Sequence, residues 1–275
     1  MTTTNELPAW SEPFDPAARD RLARLPALEM IDREWAWGGS TGAGVSVAII
    51  DSGIEGGHPA VGGRLIESWL VDIQGGEPQV IADSEVDLFG HGTACAGIIV
   101  GMVPEVELVS FRVLGSNLKG KGAAFAAALR NAIHRPVQVA NLSLSSKSET
   151  LFPVFHELAD EAYFRSVVLV SAANNVSGAS YPSLFSSVIS VAAHPEPDPW
   201  RFYYNPEPPV EFGAWGVDVP VAWRGGGRSV ATGNSFAAPH VTAVVALILS
   251  KHPGLTPFEV KAILAAVANN ERRAL

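Results

Sequence analysis

Short apolar runs recur along the chain, and polar or small residues end each of them. Five of these runs predict buried strands, at residues 45–50, 108–113, 137–144, 167–170 and 188–192. Runs of this length are typical of strands in a parallel sheet that is covered on both faces. Two segments between the runs, 123–134 and 154–165, are helical candidates. The alternation predicts an α/β fold, a three-layer sandwich in which helices cover both faces of a mainly parallel central sheet.

The last part of the chain predicts two more helices and a turn. Residues 235–249 form a long apolar stretch after Gly233 and Asn234, which predicts a buried helix. A further helix is expected to begin at Thr256-Pro-Phe-Glu259, a capping-box sequence with proline at the first helical position. The glycine-rich segment 224–228 predicts a hairpin turn, with anion binding as the alternative.

Length and composition predict one compact domain, residues 25–275, preceded by an extension of residues 1–24. The 275 residues are 47% hydrophobic and 17% charged, which suits a large buried core and argues against disorder. Residues 1–24 are polar, rich in proline and aspartate, and weakly periodic. We expect this extension either to cover a ligand-binding groove of the following domain or to be trimmed by proteolysis.

Charge and cysteine content narrow the partners and the compartment. With 28 acidic and 19 basic residues the formal net charge is -9, which predicts neither a nucleic-acid partner nor binding to an anionic membrane. The single cysteine, Cys95, excludes an intrachain disulfide and is compatible with a reducing compartment. The amino-terminal residues lack a basic start followed by an apolar core, and no apolar run is long enough to cross a bilayer. These features predict a cytoplasmic location.

Three segments contain the residue types needed for hydrolysis of an amide by a hydroxyl group. The chemistry requires a nucleophile, an imidazole that accepts its proton, a carboxylate that orients the imidazole, and donors for the oxyanion. Asp51 ends an apolar strand, His91 lies in Gly90-His-Gly-Thr-Ala-Cys-Ala-Gly97, and Ser235 lies in Gly233-Asn-Ser-Phe-Ala-Ala-Pro-His240. Taken singly, the aspartate can cap a turn and Gly-His-Gly can be a tight bend. Their joint occurrence predicts a catalytic triad.

These segments resemble the signature motifs of the subtilisin family of serine proteases. The resemblance rests on Asp-Ser-Gly-Ile at 51–54, on His-Gly-Thr followed by Ala-Gly at 91–97, and on the segment around Ser235. It continues through 141–144, 170–174, 181–182 and 188–191, and it spans residues 25 to 267. The resemblance implies a serine endopeptidase with an acyl-enzyme intermediate. It also implies the roles of four residues: Asp51 would orient His91, His91 would act as general base and then as general acid, Ser235 would be the nucleophile, and Asn174 would donate to the oxyanion.

In this family the substrate peptide adds as a strand between two enzyme segments. The residues that the resemblance assigns to substrate binding are Gly120, Gly122, Ser143, Leu144, Ser145 and Ala172. A primary pocket is expected between 143–145 and 172–174. The alternative for Gly120 and Gly122 is a turn before the helix that begins near residue 123. The expected partner is a peptide or protein substrate, and no cofactor is expected.

Four features depart from the family pattern. Asn234 stands where threonine is usual, whose hydroxyl assists the oxyanion pocket, and an amide can substitute for it. Ser145 replaces a common glycine and is expected to narrow the primary pocket. Ala60 replaces an acidic residue and 97–102 lacks a long insertion, so we predict no high-affinity calcium site there, and no metal site elsewhere. Cys95, one helical turn after His91, is expected to be a small buried residue.

Different functions stay open at this level. The leading expectation is an intracellular endopeptidase, either a general protease or a dedicated maturation protease for one precursor peptide. In the second case Lys121, near the distal pockets, is expected to favour acidic leader residues. A non-catalytic peptide-binding pseudoprotease is the alternative from another class, and the intact set of candidate catalytic residues argues against it. A lipase-type hydrolase is disfavoured because no Gly-x-Ser-x-Gly surrounds Ser235.

Overall fold

A nine-stranded sheet forms the centre of the structure, a computed structural model that describes residues 25–84, 86–207 and 209–271 together with Ser11 and Pro13. The strands are β1 Ser46–Asp51, β2 Leu65–Gln74, β3 Glu77–Ala82, β4 Glu107–Arg112, β5 Val139–Leu142, β6 Val168–Ala172, β7 Ile189–His194, β8 Phe202–Tyr204 and β9 Phe212–Trp215. Their order is β3-β2-β4-β1-β5-β6-β7-β9-β8. All neighbouring pairs from β2 to β9 are parallel, and β3 and β8 pair antiparallel at the two edges. Apart from Ser11 and Pro13, the predicted extension 1–24 lies outside the described residues.

Six α-helices accompany the sheet within the described residues. They are α1 Arg33–Trp37, α2 His91–Met102, α3 Gly122–Ile133, α4 Phe152–Phe164, α5 Asn234–Lys251 and α6 Pro257–Val267. Short 3-10 helices span Leu28–Met30 and Glu149–Leu151, and β10 Val219–Trp223 pairs with β11 Gly227–Ala231 in a separate hairpin. In the part of the chain that the structure describes, no helix combines the length and the apolar character needed to cross a bilayer.

The side chains of β1 show how the sheet divides the core. Val47 and Ile49 pack in one cluster with residues of α1, α2, α5 and α6, whereas Ala48 and Ile50 pack in another with α3 and α4. All four are fully buried, because alternate residues of a strand face opposite sides and both sides are covered. Full burial of an aliphatic side chain contributes about 1.5–3 kcal/mol. The predicted three-layer α/β sandwich is confirmed.

The predicted strands and helices are all present, with their ends shifted by one or two residues. The capping box at the start of α6 forms, since Thr256 accepts from the Glu259 N–H and Glu259 accepts from the Thr256 N–H. The segment 224–228 includes the turn of the β10–β11 hairpin, as predicted. β5 ends at Leu142, earlier than predicted, so residues 143–145 leave the sheet at its carboxyl edge.

Candidate active site

Asp51 and His91 form a buried pair at the carboxyl end of β1. Asp51 is the last residue of β1 and is fully buried, and His91 is the first residue of α2 and is 6% exposed. Both carboxylate oxygens of Asp51 lie close to His91 Nδ1, at 2.9 and 2.8 Å. Since a carboxylate only accepts hydrogen bonds, the proton of the neutral imidazole lies on Nδ1, and Nε2 is left as the acceptor. A general base needs this tautomer.

Asp87 ties the loop after β1 to the start of α2. Its Oδ1 accepts hydrogen bonds from Ser52 Oγ at 2.8 Å and from the backbone N–H groups of Phe89 and Gly90 at 2.9 and 2.7 Å. Its Oδ2 accepts from the N–H and the hydroxyl of Thr93, at 2.8 and 2.6 Å. These backbone N–H groups, at and just before the start of α2, have no partner within the helix, and the Asp87 carboxylate accepts their hydrogen bonds. The negative charge of Asp87 also lies at the positive end of the α2 helix dipole. Sequence reasoning missed this residue, although an acidic side chain just ahead of a helix is a capping signal.

The glycines on either side of His91 are required by close packing. Gly90 has a φ of 116°, in the left-handed region, and a Cβ there would lie 2.6 Å from the ring of Trp223 in β10. A Cβ on Gly92 would lie 2.0 Å from the carbonyl oxygen of Gly53. The Gly-His-Gly pattern therefore reflects the tight contact of α2 with the hairpin and with the loop after β1.

The pKa of His91 is raised well above its ordinary value. Burial of the ring is the largest single influence and lowers the pKa, but the charge and hydrogen bonding of Asp51 act in the opposite direction and prevail together with smaller contributions. Burial also raises the pKa of the Cys95 thiol. The thiol is therefore neutral near pH 7 and a poor nucleophile.

Cys95 is a fully buried residue behind the site, as predicted. Its Sγ lies 3.4 Å from Ser143 Oγ and 3.7 Å from the carbonyl oxygen of Ser235. Within the described residues, the group of possible metal ligands with suitable spacing is Asp51, His91 and Cys95, whose donor atoms lie within 4.8 Å of one another. Because the first two are already hydrogen-bonded to each other, a metal ion would have to separate them.

Ser235 is the second residue of α5 and lines the same cleft as His91. The hydroxyl of Ser143 donates to the carbonyl oxygen of Ser235 at 2.9 Å, which joins the loop after β5 to the first turn of α5. A serine in the first turn of a helix lies close to unpaired backbone N–H groups and to the positive end of the helix dipole. Both favour negative charge that develops on a bound carbonyl oxygen.

The cleft has a volume of about 650 Å³ and brings together the predicted substrate-binding residues. Its lining includes Gly120, Gly122, Ser143, Leu144, Ser145 and Ala172, as well as His91, Asn174 and Ser235. Asp51 lies behind His91 and does not line the cleft. Gly120 and Gly122 both line the cleft, and Gly122 is also the first residue of α3. Their part in substrate binding stays a prediction. A Cβ on Gly120 would lie 2.4 Å from the carbonyl oxygen of Val113, so a larger residue would disturb this wall.

Asn174 lines the cleft with its carboxamide held at both ends. Its Oδ1 accepts from the N–H of Val176 at 2.8 Å, and its Nδ2 donates to Ser145 Oγ at 3.4 Å. The backbone contact fixes Oδ1, so the NH2 group is the end that faces Ser145. The NH2 group carries two hydrogens, and the second is left for a ligand oxygen. The narrowing of the primary pocket by Ser145 stays a prediction.

Asn234 has a different position from the one expected for a direct oxyanion donor. Its Nδ2 donates to the carbonyl oxygens of Ala173 and Asn174 at 3.1 and 3.3 Å, and its Oδ1 accepts from the N–H of Ala193 at 2.8 Å. Its backbone N–H in turn donates to Asn175 Oδ1 at 2.9 Å. The side chain does not line the cleft. It connects the segment that carries Asn174 to the first turn of α5.

The region where relatives are expected to hold calcium is compact in this chain. Residues 97–102 belong to α2, which leads into β4 through residues 103–106. In that connection the carboxylate of Glu105 is already hydrogen-bonded to the hydroxyl of Thr41. The predicted lack of a high-affinity calcium site there is consistent with this geometry and stays a prediction.

Comparisons with known proteins agree with the fold. The model of the subtilase family matches residues 42–274. Subtilisin DY from Bacillus licheniformis is 31% identical over 249 residues, which cover 84% of this chain and 86% of that protein. An intracellular serine protease from Paenibacillus polymyxa is 29% identical over 238 residues, which cover 80% of this chain and 71% of that protein.

A solved structure shows the same architecture. The crystal structure of a cold adapted subtilisin-like serine proteinase aligns with a TM-score of 0.71 and 26% identity, over 86% of this chain and 89% of that one. The fold and the site thus define a hydrolase with subtilisin-like architecture. The chain belongs to the subtilase family, and it is a serine endopeptidase.

Proposed function

We propose that the enzyme hydrolyses peptide bonds through Asp51, His91 and Ser235, with an acyl-enzyme intermediate. The observation that supports this assignment most directly is the contact of the Asp51 carboxylate with His91 Nδ1, with His91 and Ser235 lining one cleft. Ser235 Oγ attacks the carbonyl carbon while His91 Nε2 takes its proton. The imidazolium, stabilised by Asp51, gives that proton to the leaving amine. A water molecule activated by the same imidazole then releases the acyl group.

Asn174 is proposed to stabilise the oxyanion. Its NH2 group lies at the cleft and has one hydrogen that is not used by Ser145. The first turn of α5 adds backbone donors and the positive end of the helix dipole. A single oxyanion donor of this kind contributes about 2.7–4 kcal/mol to the transition state, so Asn174 is important without being indispensable.

The substrate is proposed to be a peptide or protein segment bound in extended form. Lys121, between the two cleft glycines, has extended backbone angles, φ −88° and ψ 137°, which suit pairing with an added strand. The loop 143–145 supplies the second border of the cleft. The side chain before the scissile bond is proposed to enter between this loop and 172–174.

Labelling with a fluorescent fluorophosphonate tests the assignment. We expect the intact protein to be labelled and Ser235→Ala to be unlabelled, because the reagent needs a serine activated by a general base. Ser250→Ala, at the far end of the same helix, is the matched control and should be labelled like the intact protein. Equal labelling of Ser235→Ala, or none of the folded intact protein, would contradict the assignment, and the second outcome would favour the pseudoprotease.

The location and the substrate range are separate proposals. A cytoplasmic location is supported by the relative described as an intracellular serine protease and by a lone, buried cysteine with no disulfide partner in the sequence. Cell fractionation tests it, and recovery of the protein only outside the cytoplasm would contradict it. Digestion of casein would favour a general protease, whereas cleavage restricted to one precursor peptide would favour a maturation protease.

A further inference from the structure

The cleft carries positive charge in a protein whose formal net charge is -9. Lys119 and Lys121 are among its lining residues, whereas no aspartate or glutamate of the described chain is. The only other titratable lining residue among those described is His91. The electrostatic character of the cleft is therefore opposite to that of the whole molecule.

Both cleft lysines are exposed, and within the described residues neither has an ion-pair partner. Two of the other lysines, Lys251 and Lys261, make hydrogen bonds that hold parts of the fold together. Lys251 Nζ donates to the carbonyl oxygen of Gly38 at 2.9 Å, and Lys261 Nζ donates to Glu211 Oε1 at 3.0 Å. The two cleft lysines, without such structural contacts, can meet a charge on a ligand.

The two lysines lie on the glycine side of the cleft. Lys121 directly precedes the first residue of α3, and the amino-terminal end of this helix adds to the positive potential. The primary pocket, between 143–145 and 172–174, is proposed to hold the side chain that precedes the scissile bond. Residues still nearer the amino terminus of an extended substrate then pass along Gly120 and Gly122, beside the lysine ammonium groups.

We propose that the cleft selects peptides with acidic side chains within about five residues before the scissile bond, a span of roughly 17 Å of extended chain. The inference rests on the proposed function, because it names the substrate class of the same site. A lysine–carboxylate pair in an open cleft is partly screened by water. We therefore expect each acidic residue to raise kcat/KM by about two- to fivefold at low salt. The gain lies in KM, because the pair is made equally before and during the reaction.

Matched peptides test this preference. Internally quenched peptides that differ only by glutamate or glutamine, at one position two to five residues before the cleavage site, are compared for kcat/KM. At low salt the kcat/KM of the glutamate peptide should exceed that of the glutamine peptide. The ratio of the two values should approach one in 1 M salt, where the screening length is about 3 Å. It should also approach one in the Lys119→Gln/Lys121→Gln double variant. Arg130→Gln, near the far end of α3, is the matched control, because it removes one positive charge away from the cleft. This variant should keep the preference for the glutamate peptide. Equal rates for both peptides, or a ratio that persists in the double variant, would overturn the proposal.

A binding experiment separates this proposal from the catalytic assignment. Fluorescein-labelled versions of the two peptides are titrated with Ser235→Ala protein, with and without the two lysine substitutions. Tighter binding of the glutamate peptide, lost in the lysine variant, supports the proposal even if fluorophosphonate labelling contradicts the triad. Equal binding of both peptides by Ser235→Ala, in an enzyme that is labelled normally, overturns the preference and leaves the catalytic assignment intact.

Discussion

If His91 is the general base, as proposed, its pKa sets the lower limit of the pH range in which the enzyme is active. Burial lowers the pKa, yet the neighbouring Asp51 contributes to a net rise well above the ordinary value. A general base acts only when neutral, so activity should fall as the pH drops through the raised pKa. The contribution of the Asp51–His91 pair to stability has the opposite pH dependence. The protonated pair stabilises the fold fully below the unfolded pKa of about 6.5, and this stabilisation is lost as the pH rises through the folded pKa.

In Asp51→Asn we expect the loss of activity on the acidic side of the pH profile to occur at lower pH, and the maximum rate to be lower. Without the carboxylate charge, burial dominates and the pKa of His91 falls; the amide also favours the wrong tautomer, which costs about 10⁴-fold in kcat in a comparable triad. The pH dependence of inactivation by a fluorophosphonate measures the limb without turnover. Asp160→Asn, whose side chain is 53% exposed on α4, is the matched control. If the acidic side of the inactivation profile were the same in Asp51→Asn as in the parent protein, a group other than His91 would control it.

At the scale of elements, the first turn of α5 and the segment after β6 are held together by Asn234. Its carboxamide reaches the backbone of Ala173, Asn174 and Ala193, which belong to or adjoin β6 and β7. Ser235, the proposed nucleophile, follows Asn234 directly in the chain. A change at this one residue therefore alters the spacing between Ser235 and the proposed oxyanion donor, although Asn234 itself does not line the cleft.

Asn234→Ala is expected to lower kcat by about tenfold or more with little change in KM, because loss of an oxyanion donor costs 10²–10³-fold and its displacement costs part of that. In an Asn174→Ala background the same substitution should cost less than about twofold, since the group through which it acts is already absent. Steady-state kinetics of the four proteins, with their melting temperatures, measure this coupling. Equal losses in both backgrounds would show that Asn234 contributes only general stability.

At the scale of the whole molecule, buried histidine makes the fold sensitive to acid. His240 lies in the middle of α5, is 3% exposed, and donates from Nδ1 to the carbonyl oxygen of Phe236 at 2.9 Å. Burial lowers its pKa to about 4. The unfolded chain, with a histidine pKa of about 6.5, binds a proton between pH 6.5 and 4 that the folded protein does not bind. The free energy of unfolding therefore decreases over this range, by about 3 kcal/mol from this residue.

His240→Gln is expected to lose less stability than the parent protein when the pH is lowered from 7 to 4.5, by about 2–3 kcal/mol. Both proteins carry Ser235→Ala so that self-digestion does not interfere, and urea unfolding at several pH values measures the difference. His156→Gln, whose side chain is 53% exposed on α4, should keep the parent's pH dependence. The same slope in His240→Gln as in the parent would show that other groups control the acid sensitivity.

The central strands could be predicted from the sequence, whereas the outer ones could not. β1 and β6 are buried on both faces and therefore have continuous apolar sequences. β2 has one buried residue, Val71, among partly or fully exposed neighbours, and β3 has none. Partly exposed strands lack the continuous apolar signal because one face meets solvent or long polar side chains.

The sequence by itself determined the fold class, because buried strands appear as local apolar runs. It also determined the segments that carry the candidate triad, because the glycines next to His91 and Ser235 form local sequence motifs. Only the tertiary structure decided where the Asn234 side chain points and which groups the Asp87 carboxylate binds. It also decided that Lys119 and Lys121 line a cleft in which no acidic residue of the described chain takes part. Asn234 contacts Asn174 across 60 positions of the chain, and Asp87 contacts Ser52 across 35. Such contacts depend on how the sheet brings distant strand ends to one edge, which no local pattern encodes.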